Sequence, residues 1–404
     1  MARPKRLRVQ RPRVLIVGLV TSIHLARWLE HFKDSGIDFR LLGSAGNLYV
    51  HPLVRRLVQG GSFASTYKFF PFLNLLSYPL WKADTYLKNA VRIFILQMIY
   101  KYWKPDVVHA LEFQNGAYLV SDSINKMKHE PYFKFAVTNY GSDIFWFQQF
   151  TDHVGKISEV LENADAYSCE CERDVYLAAK LGFDGMVMPV VPNAGGVDVL
   201  DAKFDTHKRF RLLIKGYDGL WGRASNAVAA CELIAEQLRG AVITLYSANK
   251  SVVRLAREVE RRTGLTFEIH QSESGKYKLS QDALLRKFQE SLIYVGLSAS
   301  DGVSTSMLEA MANGAFPIQS STACADEWLQ SGATGYIVDW SDVRSISRAI
   351  STAIEDNELR QDAFSKNIEV VRSRAARAYV HEQVKNYYSV VMNGETQVSR
   401  LEVP

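Results

Sequence analysis

Two carboxylates, Asp301 and Glu309, stand eight positions apart across a polar, glycine-containing turn. The stretch reads Ser298-Ala-Ser-Asp-Gly-Val-Ser-Thr-Ser-Met-Leu-Glu-Ala-Met-Ala-Asn-Gly-Ala-Phe-Pro-Ile318. An apolar run ends just before it at Gly296, and a helical pattern opens with Ser304, Thr305 and Ser306. A helix start carries unpaired backbone N–H groups and the positive end of the dipole, so it suits phosphate. Gly302 lets the backbone approach a ligand closely. Were both carboxylates helical, they would lie about 12 Å apart along the axis. Acceptors on both sides of a phosphate-binding turn could hold two hydroxylated groups joined by a diphosphate. A nucleotide sugar has that layout: ribose, diphosphate, hexose. An ordinary helix with an N-terminal Asp and an internal Glu fits the same spacing.

This segment resembles the donor-site signature of family 4 retaining glycosyltransferases. Glu309-Ala310-Met311-Ala312-Asn313-Gly314 matches closely, and Asp301-Gly302-Val303 stands where that family usually has Glu-Gly-Phe. The resemblance implies an α/β chain of the GT-B fold, with two Rossmann-like doubly wound domains facing an interdomain cleft. It implies Glu309 on the ribose hydroxyls and Asp301 on the sugar hydroxyls, with Gly302, Val303, Ser304 and Thr305 around the diphosphate. It extends over most of the chain. Ser22-Ile-His24 with Arg27-Trp28 resembles the family's first loop and helix start, and Gly141-Ser-Asp-Ile144 its Gly-Ser-Asp loop. Asp165, the Asn193–Asp198 connection and Gly332-Ala-Thr-Gly-Tyr-Ile-Val338 resemble further family stretches.

The sequence departs from the family at two places. The usual Arg and Lys after the first strand of the second domain become Lys215-Gly-Tyr-Asp-Gly-Leu-Trp-Gly-Arg223. Arg223 first and Lys215 second are expected to neutralise a diphosphate, since charged donors act most strongly in a dry site. A surface Lys and a helix-flanking Arg are the plain alternative. His109 is present, but the family histidine two positions later is Leu111, followed by Glu112. Glu112 and Gln114 are expected to take over part of that sugar-facing role, with His109 either at the acceptor or structural. His24 and Ser22, at the first helix start, are expected on the acceptor side, and Asp143 to orient the acceptor hydroxyl. Capping is the alternative role for a residue at a helix start.

The elements that must position these residues are legible as alternation. Val14–Gly18, Phe39–Leu42, Asp106–Ala110, Phe133–Thr138, Ala164–Ser168 and Val187–Val191 read as strands, with a helix at Glu172–Leu181. Phe210–Ile214 then opens a second series. It runs through helices Ala224–Leu238, Ser251–Thr263, Asp282–Glu290 and Ser304–Asn313, and strands Ala241–Tyr246, Thr266–His270, Leu292–Gly296 and Phe316–Gln319. Strict alternation of this kind predicts parallel, doubly wound sheets. The 404 residues are expected to divide into two Rossmann-like domains, 1–195 and 196–377, and the resemblance implies that the first binds the acceptor, the second the nucleotide sugar, and that a C-terminal helix (378–404) returns to the first. The hinge is expected near 193–205.

Composition narrows the class. A hydrophobic share of 47% and a charged share of 23% exclude a disordered or fibrous chain. Four cysteines imply no disulfide framework and fit a reducing cytoplasm. Cys169-Glu-Cys171 has no second pair and no neighbouring His, so it reads as structural rather than as a zinc site. No Gly-x-Gly-x-x-Gly follows the first strand, which argues against a nicotinamide dehydrogenase. No Gly-x-Ser-x-Gly elbow supports a serine hydrolase. No zinc-finger or RNA-recognition signature supports nucleic acid binding.

Net charge is +5 but uneven: residues 1–134 hold 20 Lys and Arg against 8 Asp and Glu. Residues 62–104 carry twelve aromatics interleaved with Lys68, Lys82, Lys88, Arg92, Lys101 and Lys104, and read as helical from Lys82 to Trp103. Such a basic, aromatic helix can lie in a membrane interface, or simply pack on the sheet. No apolar run is long enough to span a bilayer.

The resemblance therefore implies a metal-independent, retaining hexosyltransferase-like enzyme, with no cofactor beyond its nucleotide-sugar donor. The acceptor would be a glycan or lipid-linked hydroxyl in surface polysaccharide or glycoconjugate biosynthesis. The expected place is the cytoplasm, at an anionic membrane face. A GT-B sugar-nucleotide 2-epimerase and a catalytically silent nucleotide-binding scaffold are the alternatives.

Overall fold

Val14, Leu15, Ile16 and Val17 are fully buried, as a continuous apolar run must be when both faces of its sheet are covered. They form β1 (Arg13–Gly18) of the first of two units. The computed structural model describes residues 11–33, 35–45, 50–59, 84, 86–199, 210–273, 276–277 and 279–393. Among these, the first unit holds the residues of 1–169, 174–195 and 381–393, and the second those of 170–173 and 196–380.

In the first unit β1 is followed by α1 (Ile23–Glu30), β2 (Asp38–Gly43), α2 (Pro52–Gln59), α3 (Ala90–Trp103) and β3 (Val107–Leu111). A π-helical turn (Phe113–Ala117) leads into α4 (Tyr118–Ile124). Then come β4 (Lys134–Thr138), α5 (Thr151–Asn163), β5 (Ala166–Ser168), α6 (Glu172–Lys180) and β6 (Met186–Val187). The six strands run parallel in the order β2-β1-β3-β4-β5-β6.

The second unit contains β7 (Arg211–Lys215), α7 (Ala224–Leu233), β8 (Val242–Ala248), α8 (Lys250–Thr263), β9 (Thr266–Glu273) and β10 (Lys276–Tyr277). It continues with α9 (Gln281–Glu290), β11 (Ile293–Gly296), α10 (Thr305–Ala312), β12 (Phe316–Ser320) and β13 (Tyr336–Val338). Two long helices, α11 (Val343–Glu355) and α12 (Asn357–Arg374), follow. The sheet order is β10-β9-β8-β7-β11-β12-β13, parallel except for the short edge pair β9-β10. The order reverses between β7 and β11, and in open α/β sheets the ligand crevice lies outside the strand ends at that point.

The doubly wound α/β class read from the sequence is what the structure shows. Several elements differ in detail. The helix read from Lys82 starts at Ala90, because Lys88 and Asn89 adopt left-handed backbones with φ of 50° and 64°. Residues 60–83, including most of the aromatic stretch, lie outside the described residues, as does 200–205 of the expected hinge. The helix read to Leu238 ends at Leu233, and the strand read at Val187–Val191 is the two-residue β6. Helices α2, α4 and α5 and the edge strands β10 and β13 have no counterpart in the sequence reading.

The last helix, α13 (Arg377–Asn393), places its residues from His381 onward in the first unit. A chain of buried hydrogen bonds fixes it there. Trp28 Nε1 donates to the Tyr388 hydroxyl at 2.9 Å. That hydroxyl lies 2.8 Å from His109 Nδ1, and His109 Nε2 lies 2.7 Å from the Thr138 hydroxyl. Burial lowers the His109 pKa to about 3, so the ring is neutral. With Trp28 donating to the Tyr388 oxygen, the tautomer that gives the Tyr388 proton an acceptor has Tyr388 donating to Nδ1 and Nε2–H donating to Thr138. Thr138 in turn meets Ser168 at 2.6 Å. Removing one hydroxyl orphans two partners. Tyr388→Phe is expected to destabilise the protein by about 1–3 kcal/mol. A lowered denaturant midpoint with an unchanged slope is the measurement that checks it.

Candidate functional site

In the second unit three loops meet at the carboxyl ends of β7, β11 and β12. β11 ends in Gly296, where any side chain would run into the Tyr294 hydroxyl and Gln319. Beyond it the chain is stitched to its neighbours. Arg223 N donates to Leu297 O at 3.0 Å and Ala299 N to Trp221 O at 2.7 Å. Ser298 N donates to Ser320 Oγ at 3.0 Å, and the Thr322 hydroxyl donates to the Ser298 carbonyl. Asp301 N donates to Thr322 O at 3.3 Å. The Arg173 guanidinium closes the arrangement, donating to the carbonyls of Thr322 (3.1 Å) and Asp301 (2.9 Å).

Asp301 is thus held by its main chain, and its carboxylate accepts from Gly302 N at 3.0 Å. Ser304 caps α10, with its hydroxyl accepting from Met307 N at 3.4 Å. The first-turn N–H groups of a helix have no intrahelical partner, so the start of α10 at Thr305 is where an anion fits. Val303 puts its side chain into an apolar cluster with Met307, Leu308 and Trp328. Only its backbone is positioned for a ligand.

Glu309 is buried on α10 and accepts from Gln281 Nε2 at 2.7 Å. Beneath the helix start sit two buried tyrosines, Tyr246 and Tyr294. Burial raises the Tyr246 phenol well above its ordinary value, and Tyr294 and Glu309 add to this. Burial also raises Tyr294, while Lys215 lowers it and Asp301 raises it. The charges of Lys215, Asp301 and Glu309 therefore converge on this pair of phenols. The structure brings these three predicted residues together with Ser304.

Arg223, expected first at a diphosphate, is engaged with its own loop. Its guanidinium donates to the carbonyls of Gly219 (2.9 Å), Leu220 (3.4 Å) and Gly222 (2.7 Å), and lies 4.7 Å over the Trp340 ring. These contacts hold it to that loop, and the Lys215 charge acts on Tyr294. Tyr246, Tyr294, Gln281, Arg173 and Thr322 were not singled out in the sequence. A tyrosine inside each of two buried strands was the available signal.

In the first unit, Ser22 caps α1 by accepting from His24 N at 3.1 Å, and the His24 ring lies 5.9 Å from that of Tyr140. Glu112 is buried in a left-handed backbone (φ 88°). Its carboxylate accepts from Asn115 N at 2.9 Å and Gly116 N at 2.5 Å, capping the π-helical turn. Asp143, also buried, accepts from Phe113 N at 3.1 Å and Tyr140 N at 2.9 Å, and Gln114 Nε2 donates to its carbonyl at 2.8 Å. Burial raises both carboxyl pKa values, and repulsion from Glu112 raises Asp143 further. These two residues organise the loops after β3 and β4. Glu112 and Gln114 are engaged there rather than turned outward to a sugar. His109, expected at the acceptor or in a structural role, is fully buried with both ring nitrogens partnered, so the structure gives it the structural one.

Residues 272–369, which include Asp301 and Glu309, match the family model described as Glycosyl transferases group 1. No curated protein matches the chain. Among solved structures, sucrose-phosphate synthase from Thermosynechococcus elongatus is similar over 95% of this chain and 100% of that one, at 13% identity and a TM-score of 0.68. HepE from Anabaena, in complex with UDP and glucose, is similar over 94% of this chain and 100% of that one, at 12% identity and a TM-score of 0.66. A glycosyltransferase from Rickettsia africae is similar over 96% and 100%, at 13% identity and a TM-score of 0.64. At these identities the likeness is one of fold, and the fold is GT-B.

Proposed function

We propose that this chain is a glycosyltransferase that moves a sugar from a nucleoside diphosphate sugar to a hydroxyl acceptor with retention. One observation carries the reading. Asp301 and buried Glu309 flank a Ser304-capped helix start at the strand-order reversal of the second sheet. Glu309, steadied by Gln281, accepts from the ribose hydroxyls, and Asp301 from the sugar hydroxyls. The backbone from Gly302 to Thr305 and the Lys215 ammonium stabilise the charge that develops on the departing diphosphate. The matched family segment and the UDP and glucose in the HepE structure support a donor of this class. Glu112 and Asp143, buried and already accepting from backbone N–H groups, are poorly suited as nucleophiles, which supports transfer on the face the leaving group departs from.

A transfer assay tests this. With UDP-glucose or its counterparts and a hydroxyl acceptor, nucleotide release should accompany a product of unchanged anomeric configuration by proton NMR. Glu309→Gln removes charge-assisted bonds of about 1.5–3 kcal/mol. The expected loss in kcat/KM is about ten- to hundredfold. An altered sugar formed from donor alone would instead identify a 2-epimerase. Binding without turnover would identify a scaffold.

The acceptor is proposed to be a glycan or lipid-linked hydroxyl of surface polysaccharide or glycoconjugate biosynthesis, met at the cytoplasmic face of an anionic membrane. Support comes from α3. Ile93, Leu96, Tyr100 and Trp103 are buried, while Val91, Phe94 and Tyr102 on another face are exposed, as are Tyr86 and Leu87 just before the helix. Lys88, Lys101 and Lys104 lie among them. No described helix is long and apolar enough to cross a membrane, so the contact would be peripheral. Flotation with anionic vesicles at low salt should carry the protein upward, and Phe94→Glu with Tyr102→Glu should abolish this. Wild-type protein left at the bottom would remove the membrane from the proposal.

A further inference from the structure

We propose that Cys171, Cys324 and Glu327 form a binding site for a thiophilic divalent cation of the zinc class. The three residues belong to the second unit, and their two sulfurs and one carboxylate oxygen lie within 4.8 Å of one another. Zinc–sulfur bonds of about 2.3 Å in a tetrahedron set ligand atoms roughly 3–4 Å apart, so little movement is needed. Both cysteines are buried, and Glu327 is partly accessible, which provides an entry path.

Three further observations point to the same place. Cys324 has a φ of 45°. A left-handed backbone is strained for any residue but glycine. Glycine would be the unstrained choice, so the Cys324 thiol sits at a position whose backbone alone does not favour it. Glu327 is aimed by outer contacts: its carboxylate oxygens accept from the N–H groups of Glu172 (3.0 Å) and Arg173 (3.3 Å). Such outer-shell bonds orient ligating carboxylates. The chain also separates Cys169 from Cys171. Cys169 packs in the core of the first unit and Cys171 in a cluster of the second. The sequence neighbours therefore do not form a pair, and the partner of Cys171 is remote in the chain.

With two thiolates and one carboxylate the cation would keep one position for water or another ligand. Together they carry one net negative charge. Arg173 and Arg374, which donate to the Thr322 and Glu327 carbonyls, are placed to offset it. The cation would tie 170–173 to the turn around 321–327. Thr322 of that turn accepts from Asp301 N and Arg173. Occupancy would thus stiffen the loop that carries Asp301, without entering the transfer chemistry.

The test is anaerobic titration of the reduced full chain with Co2+. One equivalent per chain should produce thiolate-to-cobalt charge-transfer absorption that Zn2+ abolishes by displacement. C169S should keep the band, C171S should lose it, and E327Q should need more Co2+ to reach it. C324G relieves the strained φ, so it should fold at least as stably as the cation-free parent and yet lose the band. Absence of a one-to-one band in the parent protein, or its survival in both C171S and C324G, would overturn the proposal. So would a Cys171–Cys324 disulfide forming in air in a reduced chain that takes up no Co2+.

Discussion

Backbone N–H and carbonyl groups at the carboxyl ends of parallel strands have no further strand to pair with, and must be satisfied by loops. The second unit meets this constraint by joining the loops after β7, β11 and β12 to one another. Everything proposed for the site depends on that joining. It fixes the Asp301 main chain from both sides, and it sets the start of α10 against the end of β11. It also encloses Tyr246 and Tyr294 beneath the charges of Lys215, Asp301 and Glu309. A site assembled this way has its main chain hydrogen-bonded in place before a ligand arrives, which suits electrostatic stabilisation without reorganisation.

The first unit solves a related problem with carboxylates. Glu112 and Asp143 satisfy backbone donors in the loops after β3 and β4, at the cost of two buried acids, with Glu112 close enough to raise the pKa of Asp143. His109 and Tyr388 do the equivalent work in the core, joining the last helix to the sheet through neutral hydrogen bonds. Groups that look reactive by residue type are thus distributed between two uses, and only burial and partners tell them apart.

The fold class was legible because apolar runs such as Val14–Val17 and Ile293–Val295 are pure enough to mean buried parallel strands. The turn before α10 was legible because Asp301, Gly302, Ser304 and Glu309 are close in the chain. Helices α2 and α5 were less so, since polar and charged residues cover much of their length. The engagement of Arg223 with its own loop carbonyls, and of Glu112 with a π-helical turn, depends on backbone geometry that residue types do not encode. Arg173 and Thr322 act on Asp301 from distant parts of the chain, and the meeting of Cys171 with Cys324 is equally non-local.

The central claim is that the second unit holds a nucleoside diphosphate between Asp301 and Glu309. Thermal denaturation with UDP, GDP, ADP, CDP and TDP, each with and without magnesium, tests it most directly. A ligand at about 100 times its Kd adds roughly 2.7 kcal/mol. For a unit of about 200 residues that is a rise in Tm on the order of 5 °C. The account predicts such a rise with one of the five, indifferent to magnesium and absent in Glu309→Ala. No rise with any of them, or an equal rise in Glu309→Ala, would contradict it.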